Sequence, residues 1–125
     1  MIGYTTVGAN DFERTASYYD RLLGEIGAKR TMQADRFIVW SSGPTQPGFS
    51  LVKPFDGNAA TVGNGCMVAF AVPEPSQVDR LHALALELGG TDEGAPGPRG
   101  GGFYAGYFRD PEGNKLNFFC FAPGN

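Results

Sequence analysis

Apolar and polar positions change period along the chain, from strand-like alternation to helical spacing and back, and the cycle then repeats. Gly3-Tyr4-Thr5-Thr6-Val7-Gly8 is aromatic and β-branched and predicts an opening strand. Asn10-Asp11-Phe12-Glu13 follows, a polar cap with an acid three positions on, which is how a helix start reads. Phe12, Ala16, Tyr19, Leu23 and Ile26 recur at helical spacing, with Asp20, Arg21 and Glu25 outside the stripe and Gly27 closing it. Strands are predicted at residues 28–33, 37–42 and 49–53, the last two joined by the turn-forming run Gly43-Pro44-Thr45-Gln46-Pro47-Gly48.

Residues 55–65 are small, polar and glycine-containing, and read as a linker before the cycle restarts. An apolar strand at 66–72 leads into Pro73-Glu74-Pro75-Ser76, with Ser76 and Asp79 marking a helix start. Val78, Leu81, Ala85 and Leu88 form its buried stripe, widened by Leu84, and Gly89-Gly90 ends it. A weak strand at 91–94, a stronger one at 103–109 and a last one at 114–121 complete the chain, the last two joined by Asp110-Pro111-Glu112-Gly113. Each half therefore runs β-α-β-β-β, with module one at 1–54 and module two at 66–125. Two α+β architectures fit this order: one antiparallel sheet covered by helices on one face, or two βαβββ modules whose mixed sheets curl around a cavity.

Composition narrows the function classes. Of 125 residues 19 are Gly and 9 Pro, but 42% hydrophobic and 13% aromatic content argue for a folded chain rich in turns. The length suits a single domain that needs neither disulfide nor metal to bury a core. A net charge of -3 with no Lys/Arg block leaves no footprint for nucleic acid. No apolar run approaches the roughly 18 residues of a membrane span, and Met1 leads directly into folded-looking sequence, so the expectation is a cytoplasmic protein. Cys66 and Cys120 are too few for a disulfide framework, share one strand parity, and are expected as buried free thiols.

The stretch Tyr107-Phe108-Arg109-Asp110-Pro111-Glu112-Gly113-Asn114-Lys115-Leu116 resembles the closing hairpin of the vicinal oxygen chelate superfamily. That superfamily includes glyoxalase I, bleomycin-resistance proteins, fosfomycin-resistance enzymes and extradiol dioxygenases. Asn10-Asp11-Phe12-Glu13-Arg14 with Tyr18-Tyr19, and Met67-Val68-Ala69-Phe70 with its helix, extend the resemblance over the whole chain. The turn has its own physical logic: an Asp110 carboxylate cap, a φ set by Pro111 and a positive φ at Gly113. The resemblance implies the paired βαβββ architecture with helices outside, and a homodimer.

It also implies a divalent metal held by His and Glu on the sheets, and here the residues diverge. The opening position of module one falls at Tyr4 and that of module two at Met67. The closing position of module two falls at Asn117, and the fourth at Ser50 or Val52. Phenol, thioether and carboxamide are poor ligands for zinc, nickel or manganese, so no metal and no cofactor is expected. The single histidine, His82, sits in the second helix and reads as a partly exposed helix residue rather than a ligand.

Alternation then selects the face that would carry a ligand. Lys115 and Phe119 follow Asn117, Thr6 follows Tyr4, and Arg109 and Phe103 share a face with Tyr107. The tyrosine of the fosfomycin-resistance branch that reaches substrate corresponds to Tyr107, which places that face inward. With Ser50 and Met67 this surface is aromatic and soft with a few polar anchors, suiting a small, partly apolar organic molecule. The same aromatics could instead fill a closed core. Arg99, in Gly97-Pro98-Arg99-Gly100-Gly101-Gly102, reads either as a solvated surface residue or as a cation on a mobile lid facing an anionic ligand.

The leading functional expectation is a metal-independent glyoxalase/bleomycin-resistance/dioxygenase-like protein that binds such a molecule. One alternative is a lyase or isomerase with an atypical metal site, or with metal-free acid/base chemistry through Tyr4, Tyr107 or Lys115. Another is an assembly protein without a ligand.

Overall fold

A computed structural model describes residues 1–121. The chain divides into two compact units, Met1–Gly63 and a second that begins at Asn64. The first holds β1 (Tyr4–Gly8), α1 (Phe12–Gly24), β2 (Lys29–Gln33), β3 (Phe37–Ser41) and β4 (Gly48–Val52). The second holds β5 (Val68–Ala71), α2 (Pro75–Glu87), β6 (Thr91–Pro98), β7 (Phe103–Arg109) and β8 (Lys115–Phe121). Each is a βαβββ module with a four-stranded mixed sheet, ordered β1-β4-β3-β2 and β5-β8-β7-β6. In each, the helix carries the chain from the first strand to the far edge of the sheet. The meander that follows returns it, so the last strand lies parallel to the first. Of the two architectures open to the sequence, the α+β fold of paired βαβββ modules is the one present. Among the described residues no helix is long and apolar enough to cross a membrane.

The apolar stripes lie where the periodicity put them. Tyr19, Leu22 and Leu23 of α1 are buried with Trp40, Phe49 and Leu51 of the sheet. The Tyr19 ring sits 4.7 Å from Phe49 and 5.8 Å from Trp40. In the second module Val78, Leu81 and Ala85 of α2 are buried with Phe108, Leu116 and Phe118, the two phenylalanines stacking at 5.6 Å. Each such side chain contributes about 1.5–3 kcal/mol by leaving water, so these helix-facing layers hold each module together.

The closing turn is built as its residues imply. Asp110 Oδ1 accepts from the backbone N–H of Glu112 and of Asn114, both at 2.9 Å, and Oδ2 accepts from Asn114 Nδ2 at 2.9 Å. Gly113 has φ +94°.

Several local expectations are corrected. Asp11 rather than Asn10 caps α1, accepting from Arg14 N at 3.4 Å. Asn10 instead exchanges two hydrogen bonds with the Ala60 backbone, at 2.7 and 3.1 Å. Helix α2 starts at Pro75, with Glu74 as cap and Gln77 bonding back to it, because proline suits the first helical position, where no N–H is needed. Strand β5 starts only at Val68, which leaves Cys66 exposed while Cys120 is buried. The expectation of two buried thiols therefore fails at Cys66. Strand β6 runs to Pro98 through two register shifts, which broke the alternation that would have announced it. His82 is buried, not partly exposed: Gly106 has no side chain, so the ring can press onto the β7 backbone, where a Cβ would lie 3.0 Å from His82 Cδ2.

Candidate functional site

With the helix and apolar layer of each module on one side of its sheet, the opposite side, the open face, meets no helix of its own module among the described residues. In the first module this face floors a cleft of about 640 Å³. Tyr4 and Thr6 of β1 line it beside Ser50 and Val52 of β4, with Phe37, Val39 and Ser41 of β3 and Met32 of β2 beyond. Thr6 stands opposite Ser50, and Ser50 opposite Val39, so the expected residues Tyr4, Thr6 and Ser50 come together here. Sequence reasoning missed Thr31, Met32, Arg36 and Gln46 in this lining. A register shift between Arg30 and Met32 hid which way β2 faces, and Gln46 lies in the turn. Phe37, Val39 and Ser41 could have been read from the alternation of β3, half-buried against the fully buried Ile38 and Trp40.

In the second module Phe103, Tyr107 and Arg109 share the open face with Lys115, Asn117 and Phe119. Tyr107 pairs with Asn117 and Arg109 with Lys115. One end of this face is aromatic, with Phe103 5.6 Å from Phe119 and 5.3 Å from Phe121. The other end is cationic. Lys115 Nζ lies 5.5 Å from the Tyr107 ring centre and the Arg99 guanidinium 5.6 Å from it. Arg109 is paired with Glu93 at 2.6 Å and donates to Gly113 O at 3.0 Å. Arg99 is exposed, and its guanidinium lies back over the Tyr107 ring. Met67 precedes β5, 44% exposed and outside the ladder.

The two ladders resolve the fourth position. Thr6, two residues after Tyr4, pairs with Ser50, and Ala69, two after Met67, pairs with Asn117. Ser50 and Asn117 therefore correspond, and Val52 lies one pleat further along. Ser50 and Asn117 are buried, at 2% and 1% exposure, and Ser50 Oγ and Asn117 Oδ1 have no hydrogen-bond partner among the described residues. Buried polar atoms are satisfied in the large majority of cases, so two orphans at equivalent places mark these positions out.

Tyr4, Met67, Ser50 and Asn117 offer a phenol, a thioether, a hydroxyl and a carboxamide. A divalent catalytic metal takes imidazole, carboxylate or thiolate, usually from three protein groups, and this donor set does not fit it. Among the described residues no group of three or more His, Cys, Asp or Glu is placed to hold a metal ion. The groups whose acidity is clearly displaced lie on the helix side. Tyr104 is raised first by its hydrogen bond to the Asp79 carboxylate at 2.6 Å, and burial raises Cys120.

A fold of paired βαβββ modules with equivalent positions on the two open faces defines the vicinal oxygen chelate architecture. The model of the Glyoxalase/Bleomycin resistance protein/Dioxygenase superfamily matches residues 1–118, and the chain belongs to that superfamily. It is similar to a glyoxalase/bleomycin resistance protein from Albidiferax ferrireducens T118. Identity there is 36%, with a TM-score of 0.88, covering 96% of this chain and 98% of that one. It shares its fold with a lactoylglutathione lyase from Agrobacterium tumefaciens at 18% identity and a TM-score of 0.72, over 96% of this chain and 92% of that one. A glyoxalase/bleomycin resistance protein/dioxygenase family enzyme from Burkholderia phytofirmans PsJN is 16% identical with a TM-score of 0.77, over 95% and 97% of the two chains. No curated protein matches the chain.

Proposed function

We propose that the protein binds a small, partly apolar organic molecule on the open faces of its sheets, without a divalent metal. The observation that carries this reading is the equivalent pair of buried, unpartnered atoms, Ser50 Oγ and Asn117 Oδ1. Leaving a buried polar atom unpaired costs about 1–3 kcal/mol, a cost a ligand donor can offset on binding. Phe37, Val39 and Val52 around Ser50, and Phe103 and Phe119 on the same face as Asn117, supply apolar contact. That combination of soft walls and few polar anchors is what small-molecule sites use. The protein would act as a homodimer in the cytoplasm, sequestering its ligand rather than transforming it.

The test is a ligand-observed and protein-observed NMR screen of metabolites and antibiotics, run with and without EDTA. Metal analysis of protein purified without chelator accompanies it. Sub-millimolar binding that moves the Ser50 or Asn117 resonances and survives EDTA supports the reading. Stoichiometric zinc, nickel or manganese, or no binder tighter than millimolar, overturns it. Light scattering that reports a monomer removes the dimer.

A further inference from the structure

We infer that the ligand of the second module is an organic anion that also carries an O–H or N–H donor, its oxyanion held by Arg99 and Lys115 about the Tyr107 ring. This rests on reading the open face as a ligand surface. The cations come first. Arg109 is neutralised by Glu93 at 2.6 Å. Arg99 and Lys115 meet no carboxylate among the described residues. Arg99 donates through Nη2 to Ala95 O at 2.8 Å, and the other N–H groups of its guanidinium have no protein acceptor among those residues. Two unneutralised cations gathered on one ring, in a chain of net charge -3, make a local site for an anion.

Glycines place Arg99 there. A Cβ on Gly97 would stand 3.1 Å from Arg99 Nη1, and one on Gly94 would stand 3.2 Å from Tyr107 Cδ2 and 3.6 Å from Arg99 Nη2. Their bare backbone lets the arginine lie back across β6. The hairpin beyond it is closed by Arg99 N donating to Phe103 O at 2.7 Å, with Gly100, Gly101 and Gly102 at φ +97°, +64° and +82°. The glycine run turns the chain tightly enough for the exposed Arg99 to lie back over the sheet.

Asn117 adds the second requirement. It stands opposite Tyr107 in the β7–β8 ladder, and its buried Oδ1 is an acceptor without a donor. An acceptor repels an oxyanion but takes an O–H or N–H from the body of the same ligand. A 2-hydroxy or 2-amido acid carries such a donor on the carbon next to its carboxylate, so one small molecule supplies both groups.

The test uses mandelate, its neutral analogue mandelamide and the hydroxyl-free phenylacetate, titrated into the full chain and followed by backbone NMR. Mandelate is expected to bind about tenfold more tightly than mandelamide or phenylacetate, moving Tyr107 and Asn117, and to weaken as salt is raised. Arg99→Gln, Lys115→Gln and Gly97→Ala should each weaken mandelate by about threefold to tenfold and leave mandelamide unchanged. Gly97 does not require positive φ, so its alanine variant displaces the arginine and keeps the fold. Equal binding of mandelate and mandelamide at these residues overturns the anion while the open-face reading stands. Equal binding of mandelate and phenylacetate overturns the donor. If none of the three moves these resonances, this inference falls, and the open-face reading is decided separately by the wider screen.

Discussion

His82 Nε2 lies 3.1 Å from Asp92 Oδ1 and, at the same distance, faces the backbone oxygen of Tyr107. One ring nitrogen facing two acceptors carries the proton. The side chain of His82 is 6% exposed and that of Asp92 52%. Solvent screens the Asp92 partner, while the bond to the Tyr107 carbonyl ties α2 to β7 at the residue whose ring meets Arg99. His82→Ala should cost about 2–4 kcal/mol, from a lost ring and an orphaned carbonyl. Asp92→Asn should cost less than about 1 kcal/mol, since solvent screens that partner. Urea unfolding of both variants checks this, and equal losses would contradict it.

Asp20 plays a similar part in the first module. Its Oδ1 accepts from Trp40 Nε1 at 2.9 Å and from Arg30 Nε at 2.9 Å, and its Oδ2 from Arg30 Nη2 at 2.8 Å. Trp40 is almost wholly buried, so Asp20→Ala strands its N–H and should cost about 1–3 kcal/mol. Trp40 is the single tryptophan, and its fluorescence reports the unfolding directly. Arg30→Lys loses only the half-exposed fork and should cost less than about 1 kcal/mol.

The two cysteines should differ sharply in reactivity. Cys66 is exposed, whereas Cys120 is buried and burial holds its thiol above the ordinary range. Because the thiolate is the reactive form, Cys66 should take up Ellman's reagent quickly and Cys120 only on unfolding. Two fast thiols in the native protein would refute the placement of β8.

Tyr104 gives a pH dependence with a definite sign. Its hydrogen bond to the Asp79 carboxylate, and then its burial, raise its folded pKa above the ordinary tyrosine value of about 10. The proton is bound more tightly in the folded state, so the bond stabilises fully below that ordinary value. The contribution is lost as pH rises through the higher folded value. Melting temperature in the parent should fall as pH rises above about 10 and through the higher folded value. Tyr104→Phe should melt lower at pH 8 and lose that part of the alkaline fall. An unchanged alkaline slope in the variant would contradict the assignment.

What the sequence disclosed follows from how locally each feature is encoded. Helix stripes, the Asp110 turn and the β7–β8 alternation rest on neighbours within a few residues, so the βαβββ order and the face that Tyr107 shares with Arg109 were legible, whereas Asn117 was singled out only through the resemblance. His82 was misread because its burial depends on Gly106, in a strand 24 residues on, having no side chain. Met32 and the length of β6 were hidden by register shifts, which break the alternation that signals a strand. Arg99 looked more like a solvated residue, and it is exposed; its contact with the Tyr107 ring was hidden because that partner and the glycines beside it meet only across a ladder. The correspondence of Ser50 with Asn117 needed the pairing of both sheets.

That correspondence supports a final prediction in which stability and binding move in opposite directions. Ser50 Oγ and Asn117 Oδ1 are buried without partners on the open faces, and Thr5 Oγ1 is likewise unpartnered but points to the helix side of β1. If the first two are kept for a ligand, removing their polar atoms should relieve a cost in the free protein and forfeit affinity. Ser50→Ala should raise stability by about 0.5–1.5 kcal/mol and weaken any ligand that occupies the first cleft. Asn117→Leu should leave stability level or higher, since leucine has nearly the same volume and no buried acceptor, and should weaken ligands on the second face. Thr5→Val serves as the control: it removes an equally orphaned hydroxyl and should stabilise by a similar amount with binding untouched. Chemical denaturation and NMR titration of the three variants decide the matter. Ser50→Ala that destabilises would mean its hydroxyl already has a partner in the free protein. Affinity lost equally in Thr5→Val would show that binding tracks general packing rather than these two atoms.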